Sequence, residues 1–253
     1  MRKLFPSMTE CPSQFHVAAG IFYCGFSLIS LPFLLLLFMF GSYDNYPVLV
    51  WCELIYHALN FVVMVLLYRR HFYDSFLQVE LYPGRIIKNV LLCALVIVIA
   101  ALEISRQAQR GGDSLSSLAI YGALPIVEIE MFALPDLILQ VNPVFGVLCF
   151  VVFTPVTISC LYYGTVFAPI CNRRPWLAYL VTAVVIFLPR LCNGLTHWVL
   201  EQQVMLYLCQ LPIHMVACWS YQKNDTIWAP IGVHMTANLV GCTGWLVLLN
   251  MHG

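Results

Sequence analysis

The chain has 253 residues, of which 61% are hydrophobic and 9% charged, and its formal net charge at neutral pH is zero. A soluble domain carries about 25% charged residues, so the composition excludes an ordinary soluble domain. Zero net charge, with no basic cluster beyond short pairs, argues against a nucleic-acid partner. The 11 cysteines include no Cys-x-x-Cys and fall mainly in or beside apolar segments, so we interpret them as packing residues.

The apolar segments are continuous and about 20 residues long, the length that an α-helix needs to cross a bilayer. A transmembrane barrel would instead alternate apolar and polar residues. We therefore predict an all-α membrane protein, a bundle of about 7–8 transmembrane helices that forms a single integral membrane domain over residues 1–253. The candidate spans are 16–41, 47–68, 86–104, 115–140, 143–168, 176–195, 196–219 and 226–249.

The first span follows Arg2 and Lys3 but is too long for a signal-peptide core, so we expect it to be retained. Basic residues mark candidate cytoplasmic connections. If the Arg173-Arg174 pair is cytoplasmic, segment 115–140 has to be re-entrant or a hairpin, whereas eight full spans would put that pair outside. The basic residues concerned are Arg69, Arg70, Arg85, Lys88, Arg173, Arg174 and Lys223.

Ionisable side chains inside apolar segments cost at least about 2.5–3.5 kcal/mol each on insertion scales, so each needs an explanation. Glu53 and His57 lie four residues apart on one helix face, as do His197 and Glu201. A metal or proton site is the functional alternative for Glu53 and His57, but we favour pairing near a helix end in both cases. The other candidates are Glu128, Glu130, Asp136, Arg190, His214 and His234. We expect Arg190 to pair with a carboxylate of the bundle, such as Glu128 or Glu201.

The run Thr226-Ile-Trp-Ala-Pro-Ile-Gly-Val-His234-Met-Thr-Ala-Asn238 carries the strongest pattern. It resembles the last motif of the CPBP family, the membrane metalloproteases that include bacteriocin-processing (Abi) proteins and Rce-type CAAX proteases. Spacing i, i+4 presents the histidine and the asparagine to one cavity. A neutral imidazole can bind a metal or orient a water, and an amide can stabilise an oxyanion.

The resemblance extends upstream, so that the family-like core covers about residues 143–249. Thr154–Gly164 aligns with the first motif, Glu-Glu-x-x-x-Arg, but places Ile158 and Ser159 at the glutamates and Tyr163 at the arginine. In the same register Leu191 stands where the second motif, Phe-x-x-x-His, has its histidine. A second register, Pro125–Phe132, would keep one glutamate, Glu128, but offers no second-motif histidine. We prefer the first register.

The resemblance implies an endopeptidase embedded in the membrane that acts on a peptide or a membrane-anchored precursor. It implies His234, Asn238 and Glu128 as candidate catalytic residues, with His234 as a candidate ligand of zinc or another divalent metal. The degenerate motifs lack the activating glutamates, and apolar side chains cannot replace a general base. The alternative is therefore a catalytically inactive member, with no metal, that serves in binding, immunity or assembly.

The lipid bilayer and a peptide or membrane-anchored protein are the expected partners, and a bacterial cytoplasmic (plasma) membrane is the expected location because most of the family is prokaryotic. A small transporter is a third possibility, which internal repeats or paired broken helices would support. We find no convincing repeat in the sequence.

Overall fold

The computed structural model describes residues 46–110, 142–196 and 200–252, and in these ranges the ordered elements are helices without strands. Six of the predicted spans correspond to helices, whereas spans 16–41 and 115–140 lie outside the described residues. The helices are α1 Tyr46–Leu81, α2 Pro83–Arg110, α3 Pro143–Cys171, α4 Pro175–Thr196, α5 Leu200–Asn224 and α6 Trp228–His252.

Helix α1 is longer than the predicted span 47–68, because it continues through the Arg69-Arg70 pair to Leu81. Arginine is a good helix former, so a polar residue ends the apolar segment without ending the helix. Arg70 Nε lies 3.8 Å from Asp74 Oδ2, one turn further on. The helix stops just before Pro83, which disfavours helical geometry in the residue that precedes it.

Helix α3 alternates between α-helical and π-helical turns. Its two π segments, Cys149–Phe153 and Ser159–Phe167, each end two residues before a proline, Pro155 and Pro169. Proline lacks an N–H and clashes with the carbonyl four residues earlier, which explains a widened backbone at these positions. The wide turns are closed by backbone hydrogen bonds that span five residues, from Thr154 N to Cys149 O and from Ala168 N to Tyr163 O.

Two helical stretches in the described part of the chain are long and apolar enough to cross a membrane, Val50–Leu81 and Pro143–Cys171, and Pro175–Leu188 is a shorter apolar helix. Large apolar side chains remain exposed, including Leu66 at 63% and Leu91 at 57%. A soluble monomer rarely exposes so many apolar residues, whereas hydrocarbon solvates them well. Together these features indicate an integral membrane protein.

The main buried cluster joins α1, α3 and α6 through Tyr68, Tyr163 and Ile231, and it includes Ile227 of the α5–α6 connection. Gly164 allows the close approach, because a Cβ built there would lie 3.1 Å from Tyr68 Cε1 and 3.2 Å from Ile227 Cδ1. The hydroxyl of Tyr68 is hydrogen-bonded to Thr165 Oγ1 in the same region. The three helices are therefore packed in direct contact around the middle of α3.

The connection between α5 and α6 is short and hydrogen-bonded to α1. Asp225 ends α5 in the left-handed conformation, at φ 58°, and its N–H donates to Tyr221 O at 2.8 Å. Thr226 Oγ1 then donates to Ser75 O at 3.1 Å, and Trp228 Nε1 donates to Phe72 O at 3.1 Å. This part of the Thr-Ile-Trp-Ala-Pro motif thus attaches the start of α6 to α1.

Further hydrogen bonds show which helix ends lie together. Asn89, near the start of α2, donates through Nδ2 to Asn224 Oδ1 at the end of α5, at 2.8 Å. Tyr179, near the start of α4, donates to Gln222 Oε1 at 2.8 Å. The end of α1, the start of α2, the α3–α4 connection and the α5–α6 connection therefore share one end of the bundle. It contains the basic residues Arg69, Arg70, Arg85, Lys88, Arg173, Arg174 and Lys223, and we call it the basic end.

Helix α2 runs away from the basic end parallel to α6, with Val90 against Gly232 and Ile97 in one cluster with Ala237. Helix α3 runs back towards it, so Arg110 and Pro143 both belong to the opposite end. The arrangement is the one expected if Arg173-Arg174 is cytoplasmic together with Arg69-Arg70. Segment 115–140, on which the predicted span count depends, lies outside the described residues.

We predict that the basic end is cytoplasmic, because connections rich in lysine and arginine are retained on that side. A protease site inserted between Asn172 and Arg173 should be cleaved in inside-out vesicles and protected in sealed right-side-out vesicles. The matched control is the same site appended after Gly253, beyond α6, which should show the reverse pattern. Cleavage of the inserted site in right-side-out vesicles but not in inside-out vesicles would contradict the prediction.

Candidate functional site

His234 and Asn238 lie one turn apart on α6, as their spacing predicts, and both are buried, with 2% and 3% of their surfaces exposed. His214, which the sequence marks as a buried imidazole two residues after Pro212, lies on the neighbouring helix α5 and is 2% exposed. The two imidazole rings have centroids 5.9 Å apart. The structure therefore brings together two histidines from separate helices.

The hydroxyl of Tyr163 lies between these histidines. It is 2.9 Å from Nδ1 of His214 and 2.8 Å from Nε2 of His234, and the tyrosine side chain is fully buried. The ring of Tyr163 is also stacked on that of His234, with centroids 5.7 Å apart and planes inclined by 24°. One phenol oxygen thus connects α3, α5 and α6.

The hydrogen-bonding capacity of the three groups limits which atoms carry the protons of these two hydrogen bonds. A phenol has one proton and can donate it to only one of the two nitrogens. If the hydroxyl donates to Nε2 of His234, it accepts a hydrogen bond from the Nδ1–H of His214, and the opposite assignment satisfies the three groups equally well. In each case the two imidazoles play different parts, one as donor and one as acceptor.

Asn238 has a partner on α3. Its Nδ2 donates to the backbone carbonyl of Phe150 at 2.7 Å. In a π-helical turn that carbonyl would accept the N–H of Pro155, which does not exist. The asparagine therefore supplies the hydrogen bond that the proline removes. This structural role uses one of the two N–H groups that were expected to stabilise an oxyanion.

Three buried hydroxyls of α3 lie in the segment that aligns with the family's first motif. Thr154, Thr157 and Ser159 have oxygen atoms with no hydrogen-bond partner among the described residues. Ser159 is fully buried and precedes Tyr163 by four residues, close to one turn of a π-helix, so both belong to the same side of α3. An unpartnered buried hydroxyl costs about 1–3 kcal/mol.

A divalent metal would need several suitable ligands among the described side chains. A catalytic zinc ion uses three protein ligands at about 2.0–2.2 Å. Among the described residues, no group of three or more His, Cys, Asp and Glu side chains is close enough to share a metal ion. His214 and His234 supply two nitrogens, but the Tyr163 hydroxyl lies where they converge. This donor set does not fit a catalytic zinc site.

Other predicted site residues are outside the described part of the chain. Glu128 and His197 belong to segments that the structure does not describe, and the side chains of Glu53, Arg190 and Glu201 are likewise not described. The role expected of Glu128 and the pairing expected of Arg190 stay predictions. Tyr163 was noted from the sequence only as a departure from arginine, and its position in the site was missed.

Replacing Tyr163 by Phe should lower the free energy of unfolding by about 1–3 kcal/mol, because the ring stays while two buried imidazole nitrogens lose their shared partner. Thermal unfolding of the full chain in detergent measures the change. Tyr73, whose side chain is 72% exposed on α1, provides the control, and Tyr73→Phe should leave stability unchanged. Equal stability of Tyr163→Phe and the unaltered protein would contradict the geometry.

Asn238→Ala and Pro155→Ala should show strong coupling in a double-mutant cycle. Asn238→Ala alone removes the donor from the Phe150 carbonyl and should cost about 1–3 kcal/mol. In the double variant, residue 155 regains an N–H for that carbonyl, so the loss caused by Asn238→Ala should shrink. Additive effects on the free energy of unfolding would show that the asparagine does not replace the missing bond.

No curated protein and no solved structure matches the chain significantly. A protein-family model matches residues 140–240, a range that includes Thr154–Gly164, His214, His234 and Asn238 and that starts after Glu128. The resemblance predicted from the sequence is thereby confirmed, because the matched model is that of the type II CAAX prenyl endopeptidase Rce1-like family.

Proposed function

We propose that the protein is a membrane-embedded, CAAX endopeptidase-like protein that holds a peptide tail or a membrane-anchored precursor in its bundle without hydrolysing it. The observation that carries the proposal is the Tyr163 hydroxyl, which is bonded to both His214 and His234. The family match to residues 140–240 supports the membrane endopeptidase-like architecture. The proposal concerns the chemistry that this architecture retains.

Hydrolysis by this family's chemistry needs a base that activates water and a group that positions it. At the two glutamate positions the chain has Ile158, which cannot accept a proton, and Ser159, whose hydroxyl is a very weak base. The nitrogens of His214 and His234 that face the site are engaged by a phenol rather than available to a water molecule. These features favour a bundle that binds without cleaving.

Binding is favoured by the polar groups that α3 keeps buried. The hydroxyls of Thr154, Thr157 and Ser159 lack partners among the described residues, although such groups are normally satisfied in native proteins. A peptide inserted into the bundle beside α3 would supply backbone N–H and C=O groups to them, and the free energy of those bonds would contribute to affinity. We therefore assign substrate-tail recognition to the side of α3 that carries Ser159 and Tyr163.

Endopeptidase activity is the second candidate, and the intact His-x-x-x-Asn pair on α6 favours it. In that case His234 would orient the water or hold a divalent metal such as zinc, Asn238 would stabilise the oxyanion, and Glu128 would act as the base. This mechanism requires Tyr163 to release His234, since the hydroxyl holds the nitrogen that would face the substrate.

The remaining expectations belong to the same proposal. We infer a single membrane domain of about 7–8 transmembrane helices in a cytoplasmic membrane, as in bacteria. The described residues form a bundle of six helices, which is consistent with this proposal. Its exposed apolar side chains, such as Leu66 and Leu91, fit contact with lipid tails, which is how a lipidated or membrane-anchored partner would be presented.

The full chain in lipid nanodiscs should bind a fluorescent peptide that ends in a farnesylated Cys-aliphatic-aliphatic-X tail, and the peptide should remain uncleaved after prolonged incubation. Ser159→Ala should weaken binding at least about threefold, by the loss of one neutral hydrogen bond. Because it removes an unpartnered hydroxyl, the same variant should retain or gain thermal stability. Fluorescence anisotropy and mass spectrometry measure binding and cleavage.

Two controls separate specific binding from lipid partitioning: empty nanodiscs, and the same peptide without its lipid. Binding that does not exceed that of empty nanodiscs would refute the binding proposal. Cleavage of the peptide would refute the non-hydrolytic proposal if His234→Ala and Asn238→Ala each abolish it. In that event Glu128→Gln tests the base, because full activity of this variant would remove Glu128 from the mechanism.

A further inference from the structure

The two nitrogens that face Tyr163 come from unrelated parts of the site. His234 belongs to the motif shared with the CAAX endopeptidases, whereas His214 lies on α5 outside the motifs recognised in the sequence. Nevertheless Nδ1 of His214 and Nε2 of His234 face a common point, which the Tyr163 oxygen occupies at 2.9 and 2.8 Å. Two imidazole nitrogens that converge on one point are also what a metal ion requires, once both are deprotonated.

The distances distinguish a hydrogen bond from coordination. Zinc binds imidazole nitrogen at about 2.0–2.1 Å, so each ring is about 0.8 Å too far from the occupied point to coordinate an ion there. A metal would also have to displace the Tyr163 hydroxyl. That side chain is fully buried, is stacked on His234 and belongs to the main cluster of α1, α3 and α6.

The third requirement is a further ligand. Two neutral imidazoles do not make a stable buried zinc site, since zinc proteins supply three or four protein ligands. Neither Ile158 nor Ser159, at the positions where the family has carboxylates, is a good zinc ligand. The oxygen of Tyr163 contacts both imidazoles, and in this arrangement it serves as a hydrogen-bond partner.

We propose that the Tyr163 hydroxyl takes the position of a metal ion, so that the site formed with His214 and His234 excludes zinc. A histidine at position 163 would supply a third imidazole and convert the site into one that binds zinc. This inference deepens the proposed non-hydrolytic function but does not depend on peptide binding. Histidine is shorter than tyrosine, so its Nε2 would stop short of the phenol oxygen position and leave room for an ion, which His214 and His234 would coordinate after each moves inward by about 0.8 Å. Three imidazoles and a water would then complete a tetrahedral site.

Zinc content after equilibrium dialysis tests the inference on the full chain, purified in detergent with a tag that lacks histidine. The unaltered protein should retain no zinc that depends on His214 or His234, and zinc should not raise its Tm. Tyr163→His should retain about one zinc per chain and bind it at least about tenfold more tightly than the unaltered protein. Adding His214→Ala or His234→Ala to Tyr163→His should abolish that retention.

Two control variants match the substitution. Tyr163→Phe removes the hydroxyl without adding a ligand, and Tyr73→His adds an imidazole at an exposed position, so neither should retain zinc. Stoichiometric zinc in the unaltered protein that is lost in His234→Ala would overturn the inference, whether or not Tyr163→His folds. A folded Tyr163→His that retains no zinc would overturn it as well, because the two imidazoles would then not converge on an ion-sized position.

Discussion

The hydroxyl of Tyr163 meets an imidazole from each of two other helices, and the burial of all three side chains makes this contact the constraint on which the bundle centre depends. In an apolar interior, the loss of a polar partner exposes the full desolvation cost of the group left behind. Helices α3, α5 and α6 can therefore rotate relative to one another only by breaking bonds that no water replaces. Tight packing around Gly164 adds a steric limit at the same level of the bundle.

The polar residues of α6 illustrate how one motif serves both architecture and chemistry. Thr226 and Trp228 attach the start of the helix to carbonyl groups of α1, and Asn238 bonds the carbonyl that Pro155 leaves without a donor. These bonds fix the position of His234 between them. A chain that loses the family's glutamates can thus retain the rest of the motif for structural reasons alone, so the presence of His-x-x-x-Asn is by itself weak evidence of catalysis.

Much of the fold was predictable, because continuous apolar runs of helical length have few alternatives in a membrane. The family resemblance followed from the Trp-Ala-Pro approach to His234, and the burial of His214 followed from its position in an apolar span. The sequence did not predict the π-helical turns of α3, since prolines indicate a disturbance without specifying its form. The sequence also did not predict the contact of Tyr163 with both imidazoles, because that contact depends on how α3 is rotated about its axis relative to α5 and α6.

The π-helical turns also affect how this site can change during evolution. A π turn corresponds to one residue inserted into a regular helix, and α3 contains such a turn ahead of Tyr163 at Cys149–Phe153. Loss of a single residue there would rotate the following helix by about 100° relative to what precedes it, since an α-helix has 3.6 residues per turn. Tyr163 would then leave both imidazoles without any substitution in the site itself. Insertions and deletions in α3, as well as point substitutions, can therefore separate Tyr163 from the two imidazoles in relatives of this chain.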